Sequence, residues 1–237
     1  MRDRCRRLPD LNQFAPYSNA VLGILAERGW LTSQPEPLRD WVARNGRWKT
    51  YERGQVVYSH GDIADAVYGL GEGAVEVTLP MVGEEPVTIH RAELGFWIGE
   101  AAVLARAPRV ISIEAATRSR LFRIPAAALR GLLDRQPEYW PGFCALSLQN
   151  ASTAVLALAE ALSLTPRARL ARMLLRLAGD NDRVDASQTD LARLIGMNRS
   201  SLRRAIASLE EIGAVSQQYG EIAVLDARKL RDLANEA

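Results

Sequence analysis

Apolar residues recur with helical spacing twice between Ser187 and Ile212, and one glycine separates the two stripes. Leu191, Leu194 and Ile195 line the face of a first short helix, which Ser187 opens as a capping-box-like partner of Asp190 and Gly196 ends. Asn198 is placed to cap a second helix, in which Leu202, Ile206 and Leu209 recur at i, i+4 and i+7 and pack inward. Arg199, Ser200, Arg203 and Arg204 are left on its outer face. The period then changes. Ala214–Gln218 and Glu221–Leu225 alternate as two strands around Tyr219-Gly220, which predicts a β-hairpin directly after the second helix.

Two helices, a tight turn and a hairpin make a winged helix-turn-helix, whose second helix enters the DNA major groove with its N-terminal residues against base edges. Arginine suits that place, because its planar fork of donors matches guanine O6 and N7 or two phosphate oxygens. The candidate DNA contacts are therefore Ser187, Asn198, Arg199, Ser200, Ser201, Arg203 and Arg204, with Gln217, Gln218 and Tyr219 near phosphates at the wing. The alternative is a helical hairpin whose arginines and hairpin tip simply face water.

From Arg47 to Ile124 the pattern is one of short β-type runs: WKTY, QVVYS, AVYGL, AVEVTL, VTIHR, RVISIEAA and SRLFRI. Glycines at 54, 61, 71, 73, 83 and 95 divide them, and strands at this spacing predict a barrel or jelly-roll. Gly69-Leu70-Gly71 resembles the start of a phosphate loop, but no helix follows, so it reads as turn chemistry. One segment leaves the β pattern. Gly99, Glu100 and Ala101 open a helical turn, and Arg109 and Val110 follow it. Backbone N–H groups at the helix start and a closing guanidinium form an anion site, with Glu100 accepting from ribose hydroxyls. A surface turn with a Glu–Arg ion pair is the competing reading.

Elsewhere the pattern predicts helices over Asn19–Gly29, over Leu38–Arg44, and over Gln136–Leu164 with a break near Pro141. Phe143, Leu146, Asn150, Thr153, Ala157 and Ala161 fall at 3-4 spacing on the long one, a seam for a parallel pair of helices. Leu164-Thr165-Pro166 stops that helix, starts the next and reads as a hinge. Leu170, Leu174 and Leu177 give the next helix a buried face, and Gly179–Asp182 forms its exit turn.

Composition narrows the function classes. The 237 residues, 48% hydrophobic and 24% charged, fit a globular protein of two domains. A net charge of +2 is too small to draw nucleic acid by itself, so DNA affinity must come from Arg167, Arg169, Arg172, Arg193, Arg199, Arg203 and Arg204. Cys5 and Cys144 have neither metal-ligand nor disulfide-framework spacing, and no metal is expected. The basic start MRDRCRR is followed by no apolar h-region, and no run reads as long and apolar enough to span a bilayer. The expected location is cytoplasmic, with no membrane partner. His60 and His90 fall in strand or turn contexts where a structural role is expected, and no nucleophile–base pair points to an enzyme.

The order Gly54, Gly61-Asp62-Ile63-Ala64-Asp65, Tyr68, Gly73-Ala74-Val75-Glu76-Val77, Gly99-Glu100 and Pro108-Arg109, with a long helix and winged helix-turn-helix after it, resembles the Crp/Fnr family of bacterial transcription regulators. The resemblance covers Pro37 to Leu225. It implies an α+β fold: an N-terminal extension over 1–34, a cyclic-nucleotide-binding-like β-roll (double-stranded, jelly-roll-like) over 35–135, a dimerisation helix over 136–164 and a winged helix-turn-helix over 165–237. It also implies a homodimer on a palindromic operator in double-stranded DNA, RNA polymerase as a further partner, and cyclic AMP or a related cyclic nucleotide as effector. In that family's pattern Glu100 holds the ribose 2′-hydroxyl, Arg109 pairs with the cyclic phosphate, and Ser152, Thr153 and Ala154 lie near the base. The chain departs at Val110, where cyclic-AMP-responsive members have Ser or Thr, a loss of about 1 kcal/mol or more of phosphate binding. It departs again at Ser200, where a glutamate that accepts from cytosine is usual. The remaining alternatives are a regulator with a vestigial pocket, a signalling module acting through protein contacts, and a cyclic-nucleotide hydrolase.

Overall fold

The computed structural model describes residues 20–79, 87–92, 94–178, 182–184, 186–218 and 221–234. The basic start, Gly83, 179–181 of the exit turn and the wing tip Tyr219-Gly220 lie outside the described residues. The chain divides into two compact units, Met1–Glu76 with Ala92–Asn150 and Val77–Arg91 with Ala151–Ala237.

Along the first half of the chain, α1 (Glu36–Asn45) leads into β1 (Arg47–Tyr51), and β2 (Val56–Tyr58), β3 (Ala66–Glu72) and β4 (Val75–Leu79) follow. After β5 (Val87–Ala92) come β6 (Trp97–Ile98), α2 (Glu100–Ala105), β7 (Ser112–Ala115), β8 (Ser119–Pro125) and α3 (Ala126–Arg135). The strands form two four-stranded sheets, ordered β1-β8-β3-β6 and β2-β7-β4-β5, the β-roll expected from the period-two pattern. β3 is buried from Ala66 through Gly71 because β8 and β6 flank it within the sheet and bulky rings cover it. Gly69 and Gly71 sit inside this strand, which corrects the expectation of a turn. A Cβ on Gly69 would lie 2.8 Å from the Trp97 indole and one on Gly71 2.2 Å from Trp48, so the glycines make room for two tryptophans. The turn is instead at Gly73, whose φ of 79° is left-handed.

The segment before α1 is not the single helix that its apolar residues suggest. A short helical start gives way at Gly23, φ 54°, to a 3₁₀ turn over Gly23–Ala26, and a second 3₁₀ turn covers Trp30–Ser33. These turns are fixed by core packing. Leu22, Leu25, Trp30 and Leu31 are buried in one cluster with Leu38, Val42, Trp97, Phe122, Leu129 and Phe143. The Trp30 ring lies 5.5 Å from that of Trp97 and 4.9 Å from that of Phe143, and its indole N–H donates to the Gly142 carbonyl at 2.6 Å.

The long helix α4 runs over Trp140–Ser163, preceded by a 3₁₀ turn at Pro137–Tyr139 that puts the break just ahead of Pro141. The seam expected on it is corrected at Phe143, Leu146 and Asn150. Phe143 and Leu146 are buried in the core of the first unit, and Asn150 is hydrogen-bonded to Glu100. Facing solvent instead are Leu148, Val155 and Leu162, seven residues apart, with Ala151 and Leu158 between them. The reading that no run could span a bilayer is also corrected: Pro137–Ser163 passes by length and composition, with a mean hydropathy of 1.3 in its most apolar window. Its Ala- and Leu-rich half after Asn150 is the cause.

The second unit has its own core, built by α5 (Pro166–Ala178), α6 (Gln188–Leu194), α7 (Arg199–Glu211) and α8 (Ala227–Leu233) around a small sheet. That sheet is ordered β10-β11-β9, from β9 (Arg183–Val184), β10 (Val215–Gln218) and β11 (Glu221–Val224). Thr165 caps α5 by accepting from the Ala168 N–H at 3.2 Å, as the Thr-Pro pair implies. Replacing Trp30 by Ala is expected to cost about 3–5 kcal/mol of first-unit stability, and Trp30→Phe about 1–2 kcal/mol through the lost N–H bond. Urea unfolding followed by circular dichroism checks both; a Trp30→Ala variant as stable as the wild type would contradict this packing.

Candidate functional site

Two clusters carry the chemistry that the sequence singles out. In the first unit, Gly99 takes φ 95° at the end of β6 and starts α2, which turns Glu100 inward. Glu100 is 2% exposed. Its Oε1 accepts from Ser147 Oγ at 3.1 Å and from Asn150 Nδ2 at 3.1 Å, and Asn150 Nδ2 also reaches Oε2 at 3.2 Å and the Trp97 carbonyl at 3.0 Å. Burial raises the Glu100 carboxyl above the ordinary glutamate value, only partly offset by its own and Ala101's backbone N–H groups, Asn150 and Ser147.

Arg109 lies on the other side of Gly99 and is also 2% exposed. Nη1 donates to the Gly99 carbonyl at 2.8 Å and Nη2 to the Ala66 carbonyl at 2.6 Å. The guanidinium carbon stands 4.2 Å from the centre of the Tyr58 ring, so the charge is stacked on an aromatic face. Asp65 is 3.4 Å from Nη2 and 2.7 Å from Arg123. Burial works to raise the Asp65 carboxyl, but the hydrogen bond and charge of Arg123, with Arg109 behind it, hold it below its usual range. Arg109 Nε and the Tyr58 hydroxyl are buried without a hydrogen-bond partner among the described residues. A small anionic ligand such as a phosphate, were it to reach these atoms, would satisfy both.

Gly99, Glu100, Ala101 and Arg109 are thus brought together, while Val110 points outward and is 68% exposed. Ser152 is exposed and Thr153 half-buried on α4, in the second unit. Ser147, Asn150, Tyr58 and Asp65 were missed as members of this cluster. Asn150 was open to detection, since a polar side chain on the same stripe as Phe143 and Leu146 needs a buried partner.

In the second unit Ser187 caps α6, with Oγ accepting from the Asp190 N–H at 3.1 Å and donating to its carboxylate at 2.7 Å. Asn198 caps α7 through Oδ1, which accepts from the Ser201 N–H at 2.8 Å and the Ser200 hydroxyl at 2.7 Å. Leu202, Ala205, Ile206 and Leu209 are buried, and Arg199, Ser200, Arg203 and Arg204 are exposed on the opposite side. Arg199 Nη2 donates to Thr189 Oγ1 at 3.2 Å and Arg204 Nη2 to Ser201 Oγ at 3.3 Å, so both forks are oriented from within the motif. Thr189 is a partner that sequence pattern did not reveal. Arg169 and Arg172 are spent internally, on the carbonyls of Ile195 at 3.2 Å and Ala234 at 2.7 Å. The wing places Gln217 on the surface with its N–H donating to Glu210 at 2.8 Å; the Gln218 and Tyr219 side chains lie outside the described residues. His90, on β5, is held below its ordinary value by burial and then by Arg176, in keeping with a neutral structural imidazole.

Because the folded-state value of Glu100 is raised, folding favours its protonated form. The stability this contributes is present below the ordinary glutamate value and is lost as pH rises through the raised one. Glu100→Gln stays neutral, so its melting temperature is expected to gain on the wild type as pH rises over the range from the ordinary glutamate value through the raised one. Calorimetric melting across that range checks it; a constant difference would contradict the burial argument.

Two family models match the chain: the cyclic nucleotide-binding domain over residues 48–136 and the Crp-like helix-turn-helix domain over residues 168–233. A Rhodopseudomonas palustris protein named as a potassium channel is 40% identical over 86 residues, which cover 36% of this chain and only 20% of that protein. The cyclic AMP receptor protein of Thermus thermophilus is 26% identical over 188 residues, 78% of this chain and 87% of that protein. A solved transcriptional regulator of the CRP/FNR family from the same organism shares the fold, with a TM-score of 0.68 at 23% identity over 80% of this chain and 99% of that one. Both domains occur here in the order β-roll then winged helix, and the chain accordingly belongs to the Crp/Fnr family as a transcription regulator with a cyclic-nucleotide-binding domain and a helix-turn-helix.

Proposed function

We propose that this regulator is a cytoplasmic homodimer that reads a palindromic operator in double-stranded DNA through α7. Under this proposal a small anionic effector, cyclic AMP or a related cyclic nucleotide, controls it from the β-roll. The observation that carries the DNA reading is the division of α7 into a fully buried apolar side and an exposed side bearing Arg199, Arg203 and Arg204. Arg199 and Arg204, each oriented by a hydroxyl, are assigned to bases and Arg203 to phosphate. Ser187 and Asn198 at the two helix starts, with Ser201, are assigned to backbone contacts. The Ser200 hydroxyl, bonded to Asn198, replaces the longer acceptor usual in the family, so the preferred operator differs at that base.

The dimer reading is supported by the apolar heptad of α4, Leu148, Ala151, Val155, Leu158 and Leu162, which is exposed. A parallel copy aligns each of these residues with its twin and buries the stripe, and a two-fold pair presents two α7 helices to a two-fold operator. This use of the helix also accounts for its apolar composition without a membrane. Arg109 Nε and the Tyr58 hydroxyl, without a hydrogen-bond partner among the described residues, support an anionic effector, with Glu100 toward a ribose hydroxyl. RNA polymerase is the further partner of such a regulator, and no catalytic step is assigned to the chain.

One observation favours a second reading. Arg109 already bonds the Gly99 and Ala66 carbonyls, which suits a regulator that works without an effector. Calorimetry with cyclic AMP and cyclic GMP separates the two: heat that vanishes in Arg109→Ala supports the first, and silence with both nucleotides supports the second. The double variant Arg199→Ala, Arg204→Ala is expected to lose specific operator binding by a factor of roughly 100 or more while remaining dimeric. Wild-type affinity should fall steeply with salt. Gel-shift titration at several salt concentrations tests this, and an unchanged operator affinity would remove these residues from the readout.

A further inference from the structure

Glu100 is assigned above to a ligand hydroxyl, yet its carboxylate is already fully engaged. A carboxylate offers about four lone-pair sites. Here they face the Ser147 hydroxyl, one Asn150 amide N–H shared between both oxygens, and the backbone N–H groups of Glu100 and Ala101. The backbone donors belong to the start of α2 and move with the carboxylate. The side-chain donors belong to α4 and do not. An incoming hydroxyl therefore has to take the place of Asn150, Ser147 or both.

We propose that Asn150 and Ser147 are positioning residues that hold Glu100 in competition with the ligand's hydroxyl, so that binding of a molecule carrying both an anionic group and a free hydroxyl detaches α4 from the start of α2. The proposal rests on the effector reading above and adds how that site communicates. Its cost is low on the helix side. Asn150 Nδ2 keeps the Trp97 carbonyl at 3.0 Å after losing Glu100, and a serine within a helix can turn its hydroxyl to the carbonyl one turn back. Neither donor is left unsatisfied in a buried place, which makes the exchange reversible. α4 continues unbroken to Ser163 through the exposed heptad.

The test is calorimetric titration of the full chain with cyclic AMP and with its 2′-deoxy analogue, in wild type, Asn150→Ala and Ser147→Ala. Removing a competitor is expected to tighten cyclic AMP binding by roughly fivefold in Asn150→Ala. The deoxy analogue, which has no hydroxyl to offer Glu100, should bind wild type and variants alike. Ser147→Ala, a smaller change, is expected to move in the same direction and keeps the test open should Asn150→Ala fold poorly. Weaker cyclic AMP binding in either variant would make these side chains direct ligand contacts and overturn the competition. Equal tightening of both nucleotides would overturn it too, because the hydroxyl would then play no part. Unchanged variants beside a wild type that binds would remove the competition alone, whereas no heat from any of the three proteins would remove the effector reading and the competition with it.

Discussion

A single helix of 24 residues, α4, is asked to satisfy two environments, and much else in the structure follows from that demand. Its first turns are fixed by burial: Phe143 and Leu146 enter the core of the first unit, Trp30 bonds the Gly142 carbonyl, and Asn150 and Ser147 tie it to Glu100. Beyond Asn150 the apolar side chains are bare, with Val155 64%, Leu158 58% and Leu162 79% exposed. An apolar stripe of heptad spacing has little reason to persist in water, and each buried methylene is worth about 0.8 kcal/mol once covered. In the proposed dimer a second copy would supply that cover and the two-fold symmetry that a palindrome requires.

The β-roll illustrates how a charge is kept inside a protein. Arg109 is almost wholly buried, and such a charge is tolerated only when its donors are matched. Two carbonyls, Asp65 and the face of Tyr58 supply the match, leaving Nε over. Glu100, on the other side of Gly99, is matched by donors from α4. Gly99 itself cannot be replaced without conflict, since a Cβ there would lie 2.6 Å from Arg109 Nη1 and its φ is left-handed. Glu100, the proposed partner of an effector hydroxyl, thus also connects the roll to the long helix.

Much of this architecture was legible from periodicity alone. The two stripes around Gly196 became α6 and α7, Asn198 became the cap of α7, and the alternating runs became strands of the roll. Where pattern failed, tertiary packing had overridden it. Gly69 and Gly71 mimic a turn or phosphate loop but exist to admit Trp97 and Trp48. β6 is two residues long, too short to show a period, and α3 carries Leu129, Leu132 and Leu133 at helical spacing on a segment that was passed over. On α4, two heptad registers coexist in the sequence. The one through Phe143, Leu146 and Asn150 serves the chain's own core, and the one through Leu148, Val155 and Leu162 is exposed; spacing cannot tell them apart, and only burial does. In the candidate sites, residue type singled out Glu100, Arg109, Arg199 and Arg204 as proposals, whereas Asn150, Ser147 and Thr189 enter through what they touch.

Sedimentation equilibrium of the wild type beside Leu158→Glu tests the central claim most directly, since that substitution places a charge on the exposed heptad and leaves both cores untouched. The account predicts a dimer for the wild type at micromolar concentration and a folded monomer for the variant. A wild type that stays monomeric, or a variant that pairs as tightly as its parent, would contradict it.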